Sequence, residues 1–179
     1  MANRVCRPVV EIPDYLVGTV IVPDGVTLYP GDIIVADTYT SAIAGNWSVF
    51  AATKPITANL GEQMAVIING GFEMLPDGRR PDGQPDFTKY EFIAGDVVTI
   101  IFLAPQARFE ISNDCITGTP IVGDFLFPVD DSYKVSKGAA IPVGTFSSLK
   151  VLALKNFRLG GLYGAQFAPT VICSVRNPA

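Results

Sequence analysis

Apolar residues occur along this 179-residue chain in short runs, mostly four to eight residues long, separated by turn-forming residues. Several runs are rich in β-branched residues, and the run at 108–112 alternates strictly between polar and apolar positions. Both patterns are typical of β-strands, whose usual length is about 3–10 residues. We therefore predict strands at residues 17–22, 26–29, 33–36, 47–51, 63–68, 72–75, 90–93, 97–103, 108–112, 125–128, 133–135, 146–154 and 170–175.

One segment, residues 147–156, is compatible with two kinds of element. The serines at its start suit a short, capped helix, whereas its apolar residues suit a strand buried on both faces. We favour the strand, because the 17 Gly and 14 Pro of the chain supply turns for many short strands. The predicted fold is all-β, a barrel or sandwich of many short antiparallel strands with at most one short helix.

A turn containing glycine and aspartate precedes three of the predicted strands. Its sequences are Tyr29-Pro30-Gly31-Asp32, Ile93-Ala94-Gly95-Asp96 and Ile121-Val122-Gly123-Asp124. Glycine permits backbone angles that other residues avoid, and an aspartate side chain can accept hydrogen bonds from backbone N–H groups in a turn. We therefore interpret these aspartates as structural turn residues rather than catalytic carboxylates. Asn69-Gly70-Gly71 between two apolar runs predicts a β-hairpin.

The first 13 residues are predicted to form an extended N-terminal arm, ahead of a single β domain at 14–179. Val5 and Val9 give this segment β character, and its prolines are typical of an edge or extended piece. An arm of this kind could join a sheet of a partner protein, with Arg7 beside the two valines as a contact residue. An ordinary first strand of the chain's own sheet explains the same pattern.

The segment at about 75–89 is predicted to be a long loop. It contains Pro-Asp-Gly twice, and its turn residues allow no regular element. It is either a flexible hairpin loop or a loop that reaches a neighbouring protein through Arg79 and Arg80, since loops of this length are usually functional or disordered.

Composition disfavours several classes of function. With 49% hydrophobic and 17% charged residues the chain is too apolar to be disordered, and its surface is poor in charge. It has no histidine, which removes the commonest general base and transition-metal ligand, so we predict no enzyme and no catalytic, metal or cofactor site. The net charge of −4 argues against a nucleic-acid partner, and no apolar run is long enough to span a membrane.

The three cysteines do not have the number or spacing of a disulfide-bonded domain. Cys6, Cys115 and Cys173 are widely spaced, which predicts neither a set of disulfides nor a zinc site. Cys173 lies in an apolar run and is expected to be a buried strand thiol, and Cys115 falls in a predicted turn. We therefore expect synthesis in a reducing cytoplasm. The N-terminus also lacks the apolar core of a signal peptide, which agrees with this expectation.

Charge is distributed unevenly along the chain. Residues 8–53 carry five acidic and no basic residues, whereas residues 132–179 carry six basic and no acidic residues. The basic strands could lie beside the acidic ones within one fold. Alternatively, the protein has a bipolar surface that meets a complementary partner or another copy of itself head to tail.

An aromatic cluster near the C-terminus, at 157–167, is a candidate contact patch. It combines Phe157, Tyr163 and Phe167 with Arg158 and several glycines. Aromatic residues and arginine are enriched in protein interfaces, although a tight bend with packed aromatic rings has the same composition.

The strand-feeding turns resemble those of the small decoration proteins, also called cement or auxiliary head proteins, of tailed bacteriophages. The resemblance rests on residues 30–35, 94–98 and 117–128, followed by the polar turn at 129–135. It implies a β-rich protein without a catalytic site that binds the outside of an assembled capsid, often as a trimer. Some members also use an N-terminal arm that joins a sheet of the shell protein.

We therefore expect a structural virion protein that stabilises a phage head by protein–protein contacts. The expected partners are the major capsid protein and further copies of this chain, with a trimer favoured, and the expected location is the capsid surface after synthesis in the host cytoplasm. Two alternatives stay open. One is another virion part, such as a tail, fibre, baseplate or small coat protein, and the other is a carbohydrate-binding or adhesion module.

Overall fold

The computed structural model describes residues 4–36, 49–68, 91–145, 147–159 and 166–176. These residues form two β-sheets that pack as a sandwich, with three short 3-10 helices and no α-helix among them, so the all-β prediction is confirmed. The strands are β1 (Cys6–Pro8), β2 (Val17–Ile21), β3 (Ile33–Val35), β4 (Val49–Ala51), β5 (Met64–Ile67), β6 (Val97–Phe102), β7 (Arg108–Ser112), β8 (Ile116–Thr117), β9 (Phe125–Pro128), β10 (Val135–Gly138), β11 (Ser148–Leu159) and β12 (Gln166–Arg176). The 3-10 helices are Asp14–Leu16, Thr57–Asn59 and Asn113–Cys115.

The first sheet has the order β1-β7-β12-β11-β9-β10-β8, and the second has the order β3-β5-β6-β2-β4. Most neighbouring strands are antiparallel, as predicted, but β10 and β8 run parallel, and so do β2 and β4. Parallel neighbours need a long connection, and both pairs are far apart in sequence, with other strands between them. Local sequence patterns predict hairpins and carry no signal for such distant pairs.

Two strands of the second sheet, β3 and β5, are buried on both faces. All four residues of β5 are buried, and they alternate between two apolar clusters. Met64 and Val66 belong to the cluster between the sheets, whereas Ala65 and Ile67 pack on the opposite face with Leu28. A strand covered on both faces needs an unbroken apolar run rather than an alternating one, which explains the composition of this segment.

The segment at 147–156 is a strand, so the favoured interpretation is correct and the helix is excluded. It forms most of β11, which pairs with β12 along its whole length and with β9 at Leu149 and Lys150. A bulge interrupts the pairing of β11 with β12 at Leu152. Beyond this point the expectation of burial on both faces fails, because Leu152 and Leu154 are exposed.

The three glycine–aspartate turns share one geometry. In each turn the aspartate N–H donates to the carbonyl three residues earlier, and that earlier residue's N–H donates back to the aspartate carboxylate. The carboxylate distances are 2.9 Å at Asp32, 2.9 Å at Asp96 and 3.1 Å at Asp124. The prediction of a recurrent structural turn that leads into a strand is therefore confirmed.

Three predicted strands differ from the expected lengths or bounds. Among the described residues, 26–29 and 91–93 contribute one β-bridge, between Leu28 and Phe92, because the turns at 29–32 and 93–96 follow at once. The predicted strand at 133–135 begins only at Val135, as the start of β10. The predicted hairpin at Asn69-Gly70-Gly71, the strand at 72–75 and the loop at 75–89 lie outside the described residues.

None of the three cysteines forms a disulfide, and all three are buried. Cys173 lies in β12, as predicted for a strand thiol, and Cys6 lies in β1. Cys115 ends the 3-10 helix Asn113–Cys115, where its Sγ donates to the carbonyl of Pro30 at 3.2 Å. Burial raises the pKa of the Cys173 thiol to about 12 and that of Cys115 to about 11, so both are held protonated.

Candidate functional site

The N-terminal segment, predicted as an arm or as an ordinary first strand, is built into the first sheet over residues 5–9. β1 pairs antiparallel with β7, and the N–H of Val9 donates to the carbonyl of Arg108 at 3.0 Å. The side chain of Val5 is completely buried, whereas Arg7 and Val9 are exposed. For these residues the structure is the ordinary edge strand, and only Arg7 and Val9 of the three candidates reach the surface.

Arg7 is engaged within its own fold by a buried carboxylate. Its Nε and Nη2 donate to Glu110 Oε2 at 3.0 and 2.7 Å, and Thr170 Oγ1 donates to Glu110 Oε1 at 2.8 Å. A buried carboxylate is tolerated when charge and hydrogen-bond partners compensate the loss of water. The network joins β1, β7 and β12, so Arg7 has a structural role whether or not it also meets a partner.

A shallow polar cleft of about 280 Å³ lies where the N-terminal segment meets three turns. Arg4 donates to Asp32 Oδ1 at 2.8 Å, and its guanidinium stacks 4.2 Å from the centre of the Tyr29 ring. At the other side of the cleft Lys54 pairs with Asp131 at 2.9 Å. The lining residues are Arg4, Thr27, Tyr29, Asp32, Lys54, Asp131, Ser132, Tyr133 and Lys134.

Asp32 is the one carboxylate of this cleft that is almost fully removed from water, with 3% of its side chain exposed. Burial raises its pKa from 3.8 to about 6, although the charge of Arg4 and the hydrogen bond from the Tyr29 N–H act in the opposite direction. The Arg4–Asp32 pair fixes the start of the described chain to the turn before β3. We interpret the cleft as a junction between the two sheets.

The turn at 130–133 completes this junction and lies within the polar turn expected at 129–135. Asp130 accepts a hydrogen bond from the Thr57 N–H at 2.6 Å, and the Asp131 N–H donates to the Pro55 carbonyl at 3.0 Å. The carbonyl of Tyr133 accepts from the Ile33 N–H at 2.8 Å. Among the described residues no group of three or more His, Cys, Asp and Glu side chains gathers in a way that could hold a metal ion.

The C-terminal candidate residues belong to a long two-stranded ribbon. β12 pairs with β7 only from Thr170 to Ser174, so the pairs from Asn156–Pro169 to Leu159–Gln166 have no third strand within the described chain. Phe157 and Arg158 lie on β11, and Phe167 lies opposite Arg158 on β12. We call residues 156–159 and 166–169 the ribbon. It brings three of the predicted contact residues together.

An exposed feature that the sequence did not reveal is the outer edge of β11 just before the ribbon. Leu154 is 53% exposed, and the adjacent turn presents Ile121 and Val122 at 58% and 59%. That turn is fixed to β11, because the Gly123 N–H donates to the Val151 carbonyl at 3.0 Å. We call Ile121, Val122, Leu152, Leu154 and Lys155 the basic edge.

Another exposed feature lies on the far side of the first sheet, after β1. We call residues 9–17 the acidic segment, since Glu11 and Asp14 are exposed there and it holds no basic residue. Tyr15, 81% exposed, is its most accessible large apolar side chain, and Val9, Val10 and Val17 are also exposed. The acidic residues and apolar valines were visible in the sequence, but their exposure was not.

Arg79, Arg80 and Tyr163 lie outside the described residues, so the predictions for them stay predictions. No helix among the described residues is long and apolar enough to cross a membrane. In the comparisons with known proteins, no family, no curated protein and no solved structure matches the chain.

Proposed function

We propose that this protein is a structural virion protein that binds the outside of an assembled phage head as a capsid decoration protein. The observation that carries the proposal is the ribbon, which extends beyond the strands that flank it and holds Phe157, Arg158 and Phe167 in register. An isolated two-stranded ribbon is marginal in water, and packing against another surface stabilises it.

The sandwich gives the ribbon a rigid base. Its root is anchored by β7 on one side and β9 on the other, and Leu149, Val151, Val171 and Cys173 bury the inner face of the root completely. A rigid base lowers the entropy lost when a ribbon docks, because few groups have to become ordered. This arrangement suits a protein whose role is attachment.

The recurrent turn adds support through the resemblance. Residues 30–35, 94–98 and 117–128 suggested decoration proteins because of their shared turn and strand pattern, and all three turns have the same hydrogen bonds. Turns of this kind hold the first residues of the following strands in fixed positions at several points of the surface. They favour a stiff scaffold over a protein that changes shape during its function.

The test is direct binding to heads purified from the source phage grown without this gene. The purified protein should bind these heads saturably in co-sedimentation. The double substitution Arg158→Ala with Phe167→Ala should weaken binding about tenfold or more, since aromatic and arginine anchors dominate interfaces. The matched control is Val143→Ala, which shortens a fully exposed apolar side chain in the turn at 141–144.

Binding that is unchanged by the ribbon variant, or equally weakened by the control, would contradict the role of the ribbon. A protein that binds only purified tails would be another virion part, and one that binds neither heads nor tails would refute the proposal.

A further inference from the structure

The basic edge and the acidic segment have complementary properties. Lys155 gives the basic edge its charge, and no acidic residue follows position 131 in the chain. Glu11 and Asp14 give the acidic segment its charge, and residues 8–53 hold no basic residue. Each surface also exposes large apolar side chains, which are Ile121, Val122 and Leu154 on the basic edge and Tyr15 on the acidic segment. Interfaces combine apolar contacts with complementary charge of this kind.

The two surfaces are separated from each other within one rigid unit. Within the first sheet β1 is separated from β11 by β7 and β12, so three interstrand spacings, about 14 Å, lie between them. The acidic segment follows β1 directly, and the basic edge is the outer side of β11. One copy of the protein therefore cannot bring its own two surfaces together, but it can present both at the same time.

The strand edges themselves are open at both places. In the described chain β1 pairs only with β7, and β11 beyond Val151 pairs only with β12. Open edges bind other chains unless charge or proline blocks them. Pro8 and the short length of β1 make edge-to-edge sheet extension unfavourable there, so side-chain contacts are the more suitable mode.

We propose that the acidic segment of one copy binds the basic edge of a second copy, so that the protein associates head to tail. The partner is a second copy because the chain itself carries both complementary surfaces. A heterologous contact of this kind closes into a ring when the rotation between copies allows it, and otherwise continues as a filament. The contact uses no residue of the ribbon, so a copy could bind a shell and its neighbours together.

The test uses the pure full-length protein in analytical ultracentrifugation over a range of concentrations. Wild-type protein should associate at low salt and dissociate at about 1 M salt, where the Debye length falls to about 3 Å. Glu11→Lys and Lys155→Glu should each weaken association at least about tenfold, because each places like charges across the contact. Glu62→Lys is the matched control, since Glu62 is exposed just before β5 of the other sheet and its substitution changes the net charge as much as Glu11→Lys does.

The decisive step is to mix the two reversed variants. In the mixture the acidic segment that carries Glu11→Lys meets the edge that carries Lys155→Glu on the other variant. Opposite charges face each other again there, so heterotypic association should return although neither variant associates alone. Both substituted positions are exposed, and circular dichroism should show native folding of each variant.

A protein that stays monomeric at low salt, a control that weakens association as much, or a mixture that does not recover would each overturn the proposal. None of these results bears on binding to heads, which is measured separately.

Discussion

Gly31 tests the packing of the turn that leads into β3, and Gly95 offers a matched control in the same kind of turn. Both glycines have a backbone φ of +87°, and each precedes the turn aspartate. They differ in their surroundings, because a Cβ at Gly31 would lie 2.5 Å from Cys115 Sγ, whereas a Cβ at Gly95 would meet no atom within 4 Å. Alanine at the two positions therefore separates backbone strain from steric overlap.

The expected magnitudes follow from these two contributions. Left-handed backbone costs an alanine about 1–2 kcal/mol, and this cost applies equally to Gly31→Ala and Gly95→Ala. At Gly31 the additional carbon also overlaps the buried Cys115 side chain, and overpacking costs a further 1–3 kcal/mol or so. We expect Gly95→Ala to lower the free energy of unfolding by about 1–2 kcal/mol and Gly31→Ala by about 2–5 kcal/mol.

Urea denaturation followed by tryptophan fluorescence and circular dichroism measures both losses. A double-mutant cycle with Cys115→Ala identifies the cause, since removal of Sγ should recover part of the loss at Gly31 and none at Gly95. Equal losses for the two glycine variants, or a cycle with no coupling at Gly31, would refute the packing argument.

Three further predictions concern buried polar groups. Burial raises the pKa of Asp32 from 3.8 to about 6, so the folded state favours the protonated carboxyl. The contribution of Asp32 to the free energy of unfolding is therefore largest below about pH 4 and falls by roughly 3 kcal/mol as the pH rises through about 6. Asp32→Asn should remove this contribution in urea titrations at different pH. Glu110→Ala leaves the buried Thr170 hydroxyl without its acceptor and should lower the free energy of unfolding by about 2–4 kcal/mol in the same assay. Because Cys115 and Cys173 are buried with raised pKa values, native protein should react slowly with a thiol reagent, whereas denatured protein should titrate as three thiols; fast native reaction would contradict their burial.

Local sequence signals predicted much of the fold. The turn at 93–96 and the strand β6 that follows it show why, since a glycine, an aspartate and an apolar run are adjacent in sequence and act through neighbouring atoms. The strand β5 was likewise predicted from its unbroken apolar run. Elements of this kind depend on interactions over a few residues, so the pattern of the chain is sufficient to find them.

Contacts between residues that are far apart in the chain could not be predicted from the sequence. Arg7 and Glu110 are 103 residues apart, and no local pattern distinguishes an arginine that pairs with a buried carboxylate from one that meets a partner. Burial of Val5 depends on the pairing of β1 with β7 for the same reason. The exposure of Leu154 follows from the length of β11 beyond its neighbour β9, which an apolar run does not reveal.

The proposed attachment to a phage head is tested most directly by electron cryomicroscopy of heads from the source phage at a resolution that traces strands. We predict density for the two-sheet sandwich on the outer surface, with the ribbon of β11 and β12 against the shell protein. An outer surface without this density would contradict the account. That holds whether the chain is found elsewhere in the particle or is absent from it.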